Sequence, residues 1–334
     1  MSLEQLFRKI RVALIGCGRI AAGHLDPLRC DLHTYLSEMR SLNIFDLRFI
    51  CDSNPITFKQ FTSVWNEVEA FTSEDCFFSK IQADGFIDLL IISSPTNLHL
   101  AHLGKAREAG LRHVIVEKPI TMLFEEWSDS FPTLRDSEIL MWLNFTRSWN
   151  NFYSDLKFFS VKKKLGNFIS GKIVYSQGVL NCLIHVIDLL HLIFDNIEIS
   201  QIDEHIKYRG DDCLVNFFLT TNDYGGEIEV RYIEGLGEAF LEMELVFDFC
   251  TIRLKNNLTE IELDVAAELG PVKEILTRNF GWTTQFRNFL LYVAKSIINN
   301  ADTSEARARA LKTEQFCHDL VNPNHTRSRK EKKE

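Results

Sequence analysis

A glycine-rich loop that follows a continuous apolar run constrains the fold of this chain more than any other feature of its sequence. The run 10–15 leads into "GCGRIAAGH", which has the spacing G-x-G-x-x-A and precedes a predicted helix. Gly16 permits a tight turn, Gly18 lets the backbone approach a pyrophosphate, and the small Ala21 lets helix and strand pack closely. The N–H groups at the helix start attract phosphate. The candidate dinucleotide-binding residues of this loop are Gly16, Gly18, Arg19, Ile20 and Ala21.

The first 120 residues alternate short apolar runs with segments of helical spacing, which is typical of a parallel sheet covered by helices. The apolar runs of strand length are 10–15, 47–51, 87–93 and 112–117. The segment "NLHLAHLGKAREAG" has helical spacing and ends on Gly110, where a helix C-terminus favours glycine. The sequence therefore predicts an α/β class with an N-terminal, doubly wound parallel sheet of the Rossmann type.

From about residue 150 the pattern changes to helices mixed with alternating strands. In 227–232 the apolar residues Ile228 and Val230 alternate with charged ones, and two later segments read the same way. The later strands are predicted at 238–247 and 251–257, and helices at 283–299 and 304–321. This predicts a C-terminal α+β domain with an open, mainly antiparallel sheet that has one wet face. The expected domains are dinucleotide-binding 1–122, substrate and oligomerisation 123–322, and a disordered charged tail 323–334.

Composition excludes several classes of protein. With 46 % hydrophobic and 25 % charged residues over 334 positions, a disordered chain is excluded. No run reaches the roughly 18 apolar residues of a membrane span. A net charge of −9 argues against nucleic acid as a partner. The eight cysteines stand singly without a C-x-x-C pair, which predicts reduced, buried thiols and a cytoplasmic protein.

Asp52 stands at the end of the second apolar run, where a carboxylate can accept hydrogen bonds from an adenosine ribose. It follows Gly18 by 34 residues, against about 20 in the usual fingerprint, so the connection must be longer here. The alternative is that Asp52 only caps the turn "DSNP". A carboxylate at this position repels a 2′-phosphate, which favours NAD over NADP, although Arg19 and Ser53 partly offset this effect.

Two further strand ends carry candidate ligand contacts. The segment "IISSPTNLH" leaves the third apolar run, and "VIVEKPITM" ends the fourth. The candidates for cofactor contact there are Ser94, Pro95, Asn97, His99, Glu117 and Lys118. Strand ends on this side of a doubly wound sheet line the ligand crevice, so Lys118, beside a proline-fixed turn, points into it. Burial beside an oxidised nicotinamide would lower the lysine pKa. The alternative for Lys118 is a solvated loop lysine.

Four segments carry a resemblance to a known family, and they are "GCGRIAAGH", "CDSNP", "SSPTNLH" and "VEKP". In this order and spacing they resemble the Gfo/Idh/MocA (glucose-fructose oxidoreductase / inositol dehydrogenase) family. The resemblance extends through "NFTRSWNNF" and "KKKLGNFISGKI" to the C-terminal helices. It implies a Rossmann domain with NAD(P), a C-terminal α/β domain on an open sheet, and oxidation or reduction of a sugar-like hydroxyl. It also implies a homodimer or homotetramer, and a supporting role for His99 on the nicotinamide side.

The segment "QGVLNCLIHVIDLLHLIF" (177–194) is a predicted apolar helix with a polar stripe. The residues that interrupt it are Asn181, His185, Asp188 and His191. Asn181 and His185 are four apart and share a face, with Asp188 one turn beyond. Such a stripe is either a buried hydrogen-bond network or the wall of a site. The family resemblance favours the second, because members typically carry D-x-G-x-H with Asp three residues later, and it implies His185 and Lys118 as acid–base groups.

This chain departs from the family pattern at two positions. Asn181 stands where Asp is commoner, and Leu183 stands where Gly is usual. Asparagine cannot exchange a proton, so His185 and Lys118 would share the acid–base work. Resembling members that act on nucleotide-linked amino-sugar acids also carry Asn there, which leaves catalysis in place. Leu183 narrows the substrate site.

The remaining polar candidates carry weaker signals. Arg147 and Trp149 are candidates for contact with a substrate anion or sugar face, as is Asp188, or they serve the fold alone. His99 and His102 have metal-like spacing, but no carboxylate or cysteine is near them in sequence, so no metal is expected.

The sequence predicts an NAD(P)-dependent oxidoreductase acting on a sugar or nucleotide-activated sugar. By resemblance, the substrate belongs to surface-polysaccharide biosynthesis. The alternative is a cofactor-binding regulatory protein of the same fold without turnover, and the retained Lys118 and His185 favour the enzyme.

Overall fold

The computed structural model of the protein describes eleven stretches of the chain, which are 8–23, 34–150, 153, 165–194, 196–207, 210, 212–221, 225–234, 240–265, 278–279 and 282–322. The chain divides into two compact units. The first comprises Met1–Thr121, Glu125–Asn144 and Phe286–Ala310, and the second comprises Met122–Phe124, Phe145–Gln285 and Leu311–Glu334. The domain division after residue 122 stays a prediction, and the tail 323–334 lies outside the described residues.

The first unit is built on a parallel sheet of six strands in the order β3-β2-β1-β4-β5-β6. The strands are β1 Ile10–Ile15, β2 Phe45–Cys51, β3 Glu69–Phe71, β4 Leu89–Ile92, β5 His113–Val116 and β6 Leu140–Leu143. All four residues of β4 have no exposed surface, as expected for a strand covered on both faces. Strand order reverses between β1 and β4, which confirms the doubly wound parallel sheet and places its ligand crevice there.

Helices connect these strands. They are α1 Arg19–Ala22, α2 Tyr35–Leu42, α3 Phe58–Thr62, α4 Glu74–Asp84, α5 His99–Glu108 and α6 Phe124–Asp136. A capping box starts α2, since Thr34 Oγ1 accepts the Ser37 N–H at 3.1 Å and Ser37 accepts the Thr34 N–H in return. Gly85 ends α4 in the left-handed conformation, with φ of 61°. The expected long connection before β2 contains α2.

The second unit is built on a sheet of eight strands in the order β14-β13-β12-β11-β7-β10-β9-β8. The strands are β7 Phe168–Tyr175, β8 Ile197–Lys207, β9 Cys213–Thr221, β10 Glu227–Tyr232, β11 Leu241–Phe247, β12 Cys250–Lys255, β13 Glu260–Val265 and β14 Arg278–Asn279. Within the described strands, β7 and β10 pair in parallel and the other neighbours are antiparallel. The expected open, mainly antiparallel sheet is confirmed.

The two faces of this sheet differ in chemistry. Along β11, buried residues alternate with half-exposed ones, and the half-exposed Glu244 accepts a hydrogen bond from Arg253 at 2.6 Å. Lys255 and Glu262 pair in the same way at 2.7 Å, and Arg231 pairs with Asp203 at 2.6 Å. The wet face therefore carries cross-strand ion pairs.

The helices whose residues the structure describes in the C-terminal half are α7 Ile184–Ile193, α8 Trp282–Asn299 and α9 Ser304–Val321. A π-helical turn, Val179–Leu183, leads into α7, where the sequence predicted one continuous α-helix. In the part of the chain that the structure describes, no helix is both long and apolar enough to cross a membrane.

The described cysteines are free thiols, and most of them are buried as expected. The buried ones are Cys17, Cys51, Cys182, Cys213, Cys250 and Cys317. Cys76 is exposed, contrary to the expectation, because it lies in the first turn of α4 on the side turned to solvent. Cys30 lies outside the described residues.

Candidate active site

The glycine loop is held between two strand ends of the first unit. Gly16 has a φ of +91°, and its N–H donates to the carbonyl oxygen of Cys51 at 2.8 Å. A Cβ on Gly16 would lie 2.2 Å from the backbone nitrogen of Ser94. The Ser93 hydroxyl donates to the Gly16 carbonyl at 2.8 Å. Both the left-handed conformation and this close approach require glycine.

The second half of the loop is open. Gly18 is exposed, and a Cβ there would meet no protein atom within 4 Å. The neighbouring Arg19 is exposed and Ile20 is half-buried, whereas Ala21 is fully buried at the foot of α1. Gly18 therefore faces space free of protein atoms, and Ala21 is fully buried.

Asp52 contacts both the glycine loop and its own turn. Its Oδ2 accepts the Cys17 N–H at 2.7 Å, and its Oδ1 accepts the Asn54 N–H at 2.8 Å. The turn-capping alternative for Asp52 is thus present in the structure. It does not exclude ribose binding, because a carboxylate has about four lone-pair positions and the side chain is half-exposed.

The segment after β4 divides into exposed and buried candidates. Pro95 and Asn97 are exposed, whereas Ser94 is 9 % and His99 is 1 % exposed. His99 Nε2 lies 2.8 Å from the carbonyl oxygen of Ser94, and Nδ1 lies 2.9 Å from that of Pro119. Since both ring nitrogens contact backbone carbonyls, the geometry favours a supporting role in which His99 joins the ends of β4 and β5.

At the end of β5, Glu117 belongs to a network that the sequence analysis missed. Its Oε1 accepts a hydrogen bond from the Tyr35 hydroxyl at 2.8 Å and from Asn144 Nδ2 at 2.6 Å. Burial raises the pKa of Glu117, and burial together with the Glu117 charge raises that of Tyr35. Lys118 follows directly and is half-buried. Tyr35 and Asn144 are distant from Glu117 in sequence, and no motif marks them.

In the second unit, Asn181 and His185 are the polar residues that reach the surface of a buried helix. Asn181 is exposed and His185 is half-buried, with their neighbours 182–184 and 186–191 buried. The ring of Phe145 meets His185 edge-on, with centroids 6.3 Å apart. Asn181 Nδ2 donates to Gln177 Oε1 at 3.0 Å.

A buried carboxylate fixes the start of that helix. Asp212, 3 % exposed, accepts the N–H groups of Leu180 at 3.0 Å and Asn181 at 3.1 Å. A Cβ on Gly178 would lie 1.7 Å from Asp212 Oδ2, so the carboxylate packs directly on glycine. Sequence reasoning missed Asp212, which directly precedes β9 and is distant from this helix in sequence.

Of the three weaker substrate candidates, two are buried and one is half-buried. Asp188 has no exposed surface, which favours a structural role. Arg147 is 7 % exposed, and burial lowers its pKa to about 10. Trp149 is half-buried on the same short helical turn, Thr146–Trp149. Among the described residues, no group of three or more His, Cys, Asp or Glu side chains is arranged to hold a metal.

Residues 10–145 match the family described as "Oxidoreductase family, NAD-binding Rossmann fold". Through this segment, the chain matches the Gfo/Idh/MocA oxidoreductase family. This confirms the family predicted from the glycine loop and the "VEKP" segment. The same match supports the predicted nicotinamide dinucleotide as the cofactor of this segment.

Curated relatives match this chain over part of their length. The uncharacterized oxidoreductase YrbE of Bacillus subtilis is 23 % identical over 150 residues, 45 % of this chain and 39 % of the relative. The scyllo-inositol 2-dehydrogenase (NAD(+)) of the same organism is 25 % identical over 172 residues, 51 % and 44 % of the two chains. The chain thus spans less than half the length of these relatives.

Solved structures share the fold over nearly the whole chain. Levoglucosan dehydrogenase in complex with NADH and levoglucosan has a TM-score of 0.75 at 15 % identity, covering 96 % of this chain and 98 % of that one. A myo-inositol dehydrogenase from Corynebacterium glutamicum has a TM-score of 0.67 at 18 % identity, covering 93 % and 96 %. A variant of KijD10, a 3-ketoreductase from Actinomadura kijaniata, has a TM-score of 0.70 at 14 % identity, covering 93 % and 96 %.

Proposed function

We propose that this oxidoreductase transfers a hydride between a nicotinamide cofactor and a hydroxyl-bearing carbon of a sugar or nucleotide-activated sugar. The observation that carries the proposal is that the glycine loop, Asp52 and the Glu117-Lys118 segment all lie at the carboxyl ends of strands of one parallel sheet. Neighbours of the same fold include a levoglucosan dehydrogenase and a 3-ketoreductase, which support a sugar as the substrate class. The resemblance adds surface-polysaccharide biosynthesis to this proposal.

The residues around the sheet edge fit a dinucleotide. The open space at Gly18 leaves room for a pyrophosphate against the loop backbone. Asp52 is proposed to bind the adenosine ribose, and the segment after β4 is proposed to line the other half of the cofactor. When bound, the cofactor accepts or supplies the hydride.

Two side chains are proposed to handle the proton that accompanies hydride transfer. His185 removes or supplies the hydroxyl proton, since histidine, with an ordinary pKa of about 6.5, exchanges protons near neutrality. Lys118 polarises the same oxygen through its positive charge. Asn181, whose amide orients but does not exchange protons, is proposed to hold the substrate beside His185.

A binding and turnover screen tests this function. Titration with NADH, followed by the fluorescence of the bound nicotinamide, should saturate. Polyols, free sugars and nucleotide-activated sugars should then be screened with both oxidised and reduced cofactor, guided by mass spectrometry of any co-purified ligand. We expect turnover with a member of this panel. Absence of dinucleotide binding would contradict the proposal.

Replacing Asp52 with serine should weaken NAD binding and relax discrimination against NADP. The carboxylate both accepts hydrogen bonds from the ribose and repels a 2′-phosphate, and charged hydrogen bonds contribute roughly 1.5–3 kcal/mol. The dissociation constants of NADH and NADPH for wild type and Asp52→Ser measure this directly. A wild-type preference for NADPH would refute the assignment of Asp52.

A homodimer or homotetramer is proposed for this chain. The open sheet of the second unit has an outer face whose charges are arranged in cross-strand pairs, such as Arg253 with Glu244. Burial of that face against a second copy would complete the layer that an open sheet lacks. Light scattering at micromolar concentration should give at least twice the monomer mass. A monomer under these conditions would contradict the proposal.

A further inference from the structure

Beside the glycine loop, Ser94, His102 and Glu74 form a chain of side-chain contacts within the first unit. Ser94 Oγ lies 2.9 Å from His102 Nδ1, and His102 Nε2 lies 3.2 Å from Glu74 Oε1. Lys105 Nζ in turn contacts Glu74 Oε2 at 3.1 Å. The imidazole is 1 % exposed and Ser94 is 9 % exposed, so the chain runs from the end of β4 through the interior to the paired charges on α4 and α5.

The chemistry of the three groups sets the direction of each hydrogen. Against the effect of burial, the neighbouring His102 ring and the Lys105 ammonium lower the pKa of Glu74, so the carboxylate is ionised and only accepts. Burial lowers the pKa of His102 in spite of Glu74, which favours a neutral ring. Its single hydrogen is then assigned to Nε2, the ring nitrogen that lies 3.2 Å from the Glu74 carboxylate. Nδ1 is left as an acceptor, and the Ser94 hydroxyl donates to it.

Ser94 occupies a defined position at the ligand edge of the sheet. It follows β4 by two residues, at the point where strand order reverses between β1 and β4. Its backbone lies against Gly16, the first glycine of the loop. Asp52 at the end of β2 serves the adenosine half of a dinucleotide in this fold, and the strands from β4 onward serve the nicotinamide half.

We propose that His102 and Glu74 are positioning residues of the cofactor site that act through Ser94. They direct the Ser94 hydrogen inward, so that the serine oxygen offers lone pairs to the crevice and accepts a hydrogen bond from a ribose hydroxyl in the nicotinamide half of the dinucleotide. This inference rests on the cofactor site of the proposed function. It extends that site to two side chains that the sequence analysis does not assign to the cofactor.

The proton position on His102 can be read without any ligand. Nitrogen-15 NMR of the cofactor-free protein distinguishes the two neutral tautomers and the doubly protonated ring. Near pH 7, His102 should be the neutral tautomer with its hydrogen on Nε2. A hydrogen on Nδ1, in either the other tautomer or the imidazolium, overturns the proposal, because Nδ1 then donates to Ser94 and turns the hydroxyl hydrogen outward.

Binding of NADH and ADP tests the link to the cofactor. Ser94→Ala and His102→Phe should each raise the dissociation constant of NADH about 3- to 10-fold, the usual effect of one hydrogen bond. ADP lacks the nicotinamide ribose, so its dissociation constant should not change. The double variant should bind NADH no more weakly than Ser94→Ala alone, because His102 acts through Ser94.

Two carboxylates on α4 provide a matched control. Glu74 and Asp75 both contact Lys105, at 3.1 and 2.8 Å, but His102 contacts Glu74. Glu74→Ala should weaken NADH binding, and Asp75→Ala should not. Two outcomes would assign His102 to packing alone and overturn the inference. One is that Glu74→Ala and Asp75→Ala weaken NADH binding equally. The other is that His102→Phe weakens NADH binding as much in the Ser94→Ala background as in wild type.

The outcomes separate this inference from the proposed function. Wild-type protein that binds neither NADH nor NADPH contradicts both. Tight NADH binding without turnover contradicts the proposed enzymatic activity. If the variants behave as expected, the same result still supports the action of His102 and Glu74 on cofactor binding through Ser94. If His102→Phe fails to fold, His102→Gln and the tautomer measurement on wild type still decide the proposal.

Discussion

Removing either Lys118 or His185 should lower the turnover number about 10²–10⁴-fold, the usual contribution of a positioned acid–base group. This corresponds to roughly 3–5.5 kcal/mol of transition-state stabilisation. Lys118→Ala and His185→Ala remove a charge and a proton-exchanging group that are proposed to act on the same substrate oxygen. The double variant should therefore be much less impaired than the product of the two single effects. Steady-state kinetics on the substrate found in the screen measures all three.

Cofactor affinity provides the control for these variants. The proposed dinucleotide-binding residues all belong to the first unit, whereas His185 belongs to the second, so His185→Ala should leave the NADH dissociation constant unchanged. Lys172, an exposed lysine on β7, serves as the matched lysine control, and Lys172→Ala should retain wild-type turnover. Full activity of His185→Ala would mean that the polar stripe of the helix is only a structural network.

The substitution Gly16→Ala should destabilise the first unit by about 3 kcal/mol or more. At a φ of +91°, a side chain strains the backbone, and the new Cβ would lie 2.2 Å from a backbone nitrogen that cannot move alone. Denaturant unfolding of the cofactor-free protein measures the loss. The reason is internal to the fold, so the effect should appear without any ligand.

Gly18→Ala is the matched substitution in the same loop. Its φ is −78° and its Cβ would meet no protein atom within 4 Å, so the free energy of unfolding should stay close to that of wild type. NADH affinity should fall, because the added methyl group occupies the space proposed for the pyrophosphate. If Gly18→Ala bound NADH normally, the pyrophosphate would not lie against this backbone.

The parallel sheet could be predicted closely because buried strands leave a local signal. The apolar run at 10–15 is β1 itself, and the run at 112–117 contains β5. The alternation of apolar and charged residues at 227–232 likewise predicts β10, and its bounds are those of the observed strand. In each case the residues that form the strand also carry the pattern that predicts it, so no distant information is needed.

The side-chain networks could not be predicted, because their members come from separate segments. Glu117 meets Tyr35 across 82 positions of sequence, and Asn144 across 27. His99 and His102 have metal-like spacing in the sequence. In the fold, however, the His99 ring contacts backbone carbonyls, and the His102 ring contacts Ser94 and Glu74. The π-helical turn before α7 was also missed, since its apolar residues fit α-helical spacing equally well.

The most direct test of the central claim is a transfer experiment with a substrate deuterated at the reacting carbon. The account predicts that deuterium appears at C4 of the nicotinamide when wild-type protein turns over NAD with that sugar, and that Lys118→Ala nearly abolishes this transfer. The contradicting result is saturable NADH binding with no deuterium transfer between nicotinamide and any sugar of the panel, whether the sugar is oxidised or reduced. That result would identify the chain as a cofactor-binding regulatory protein.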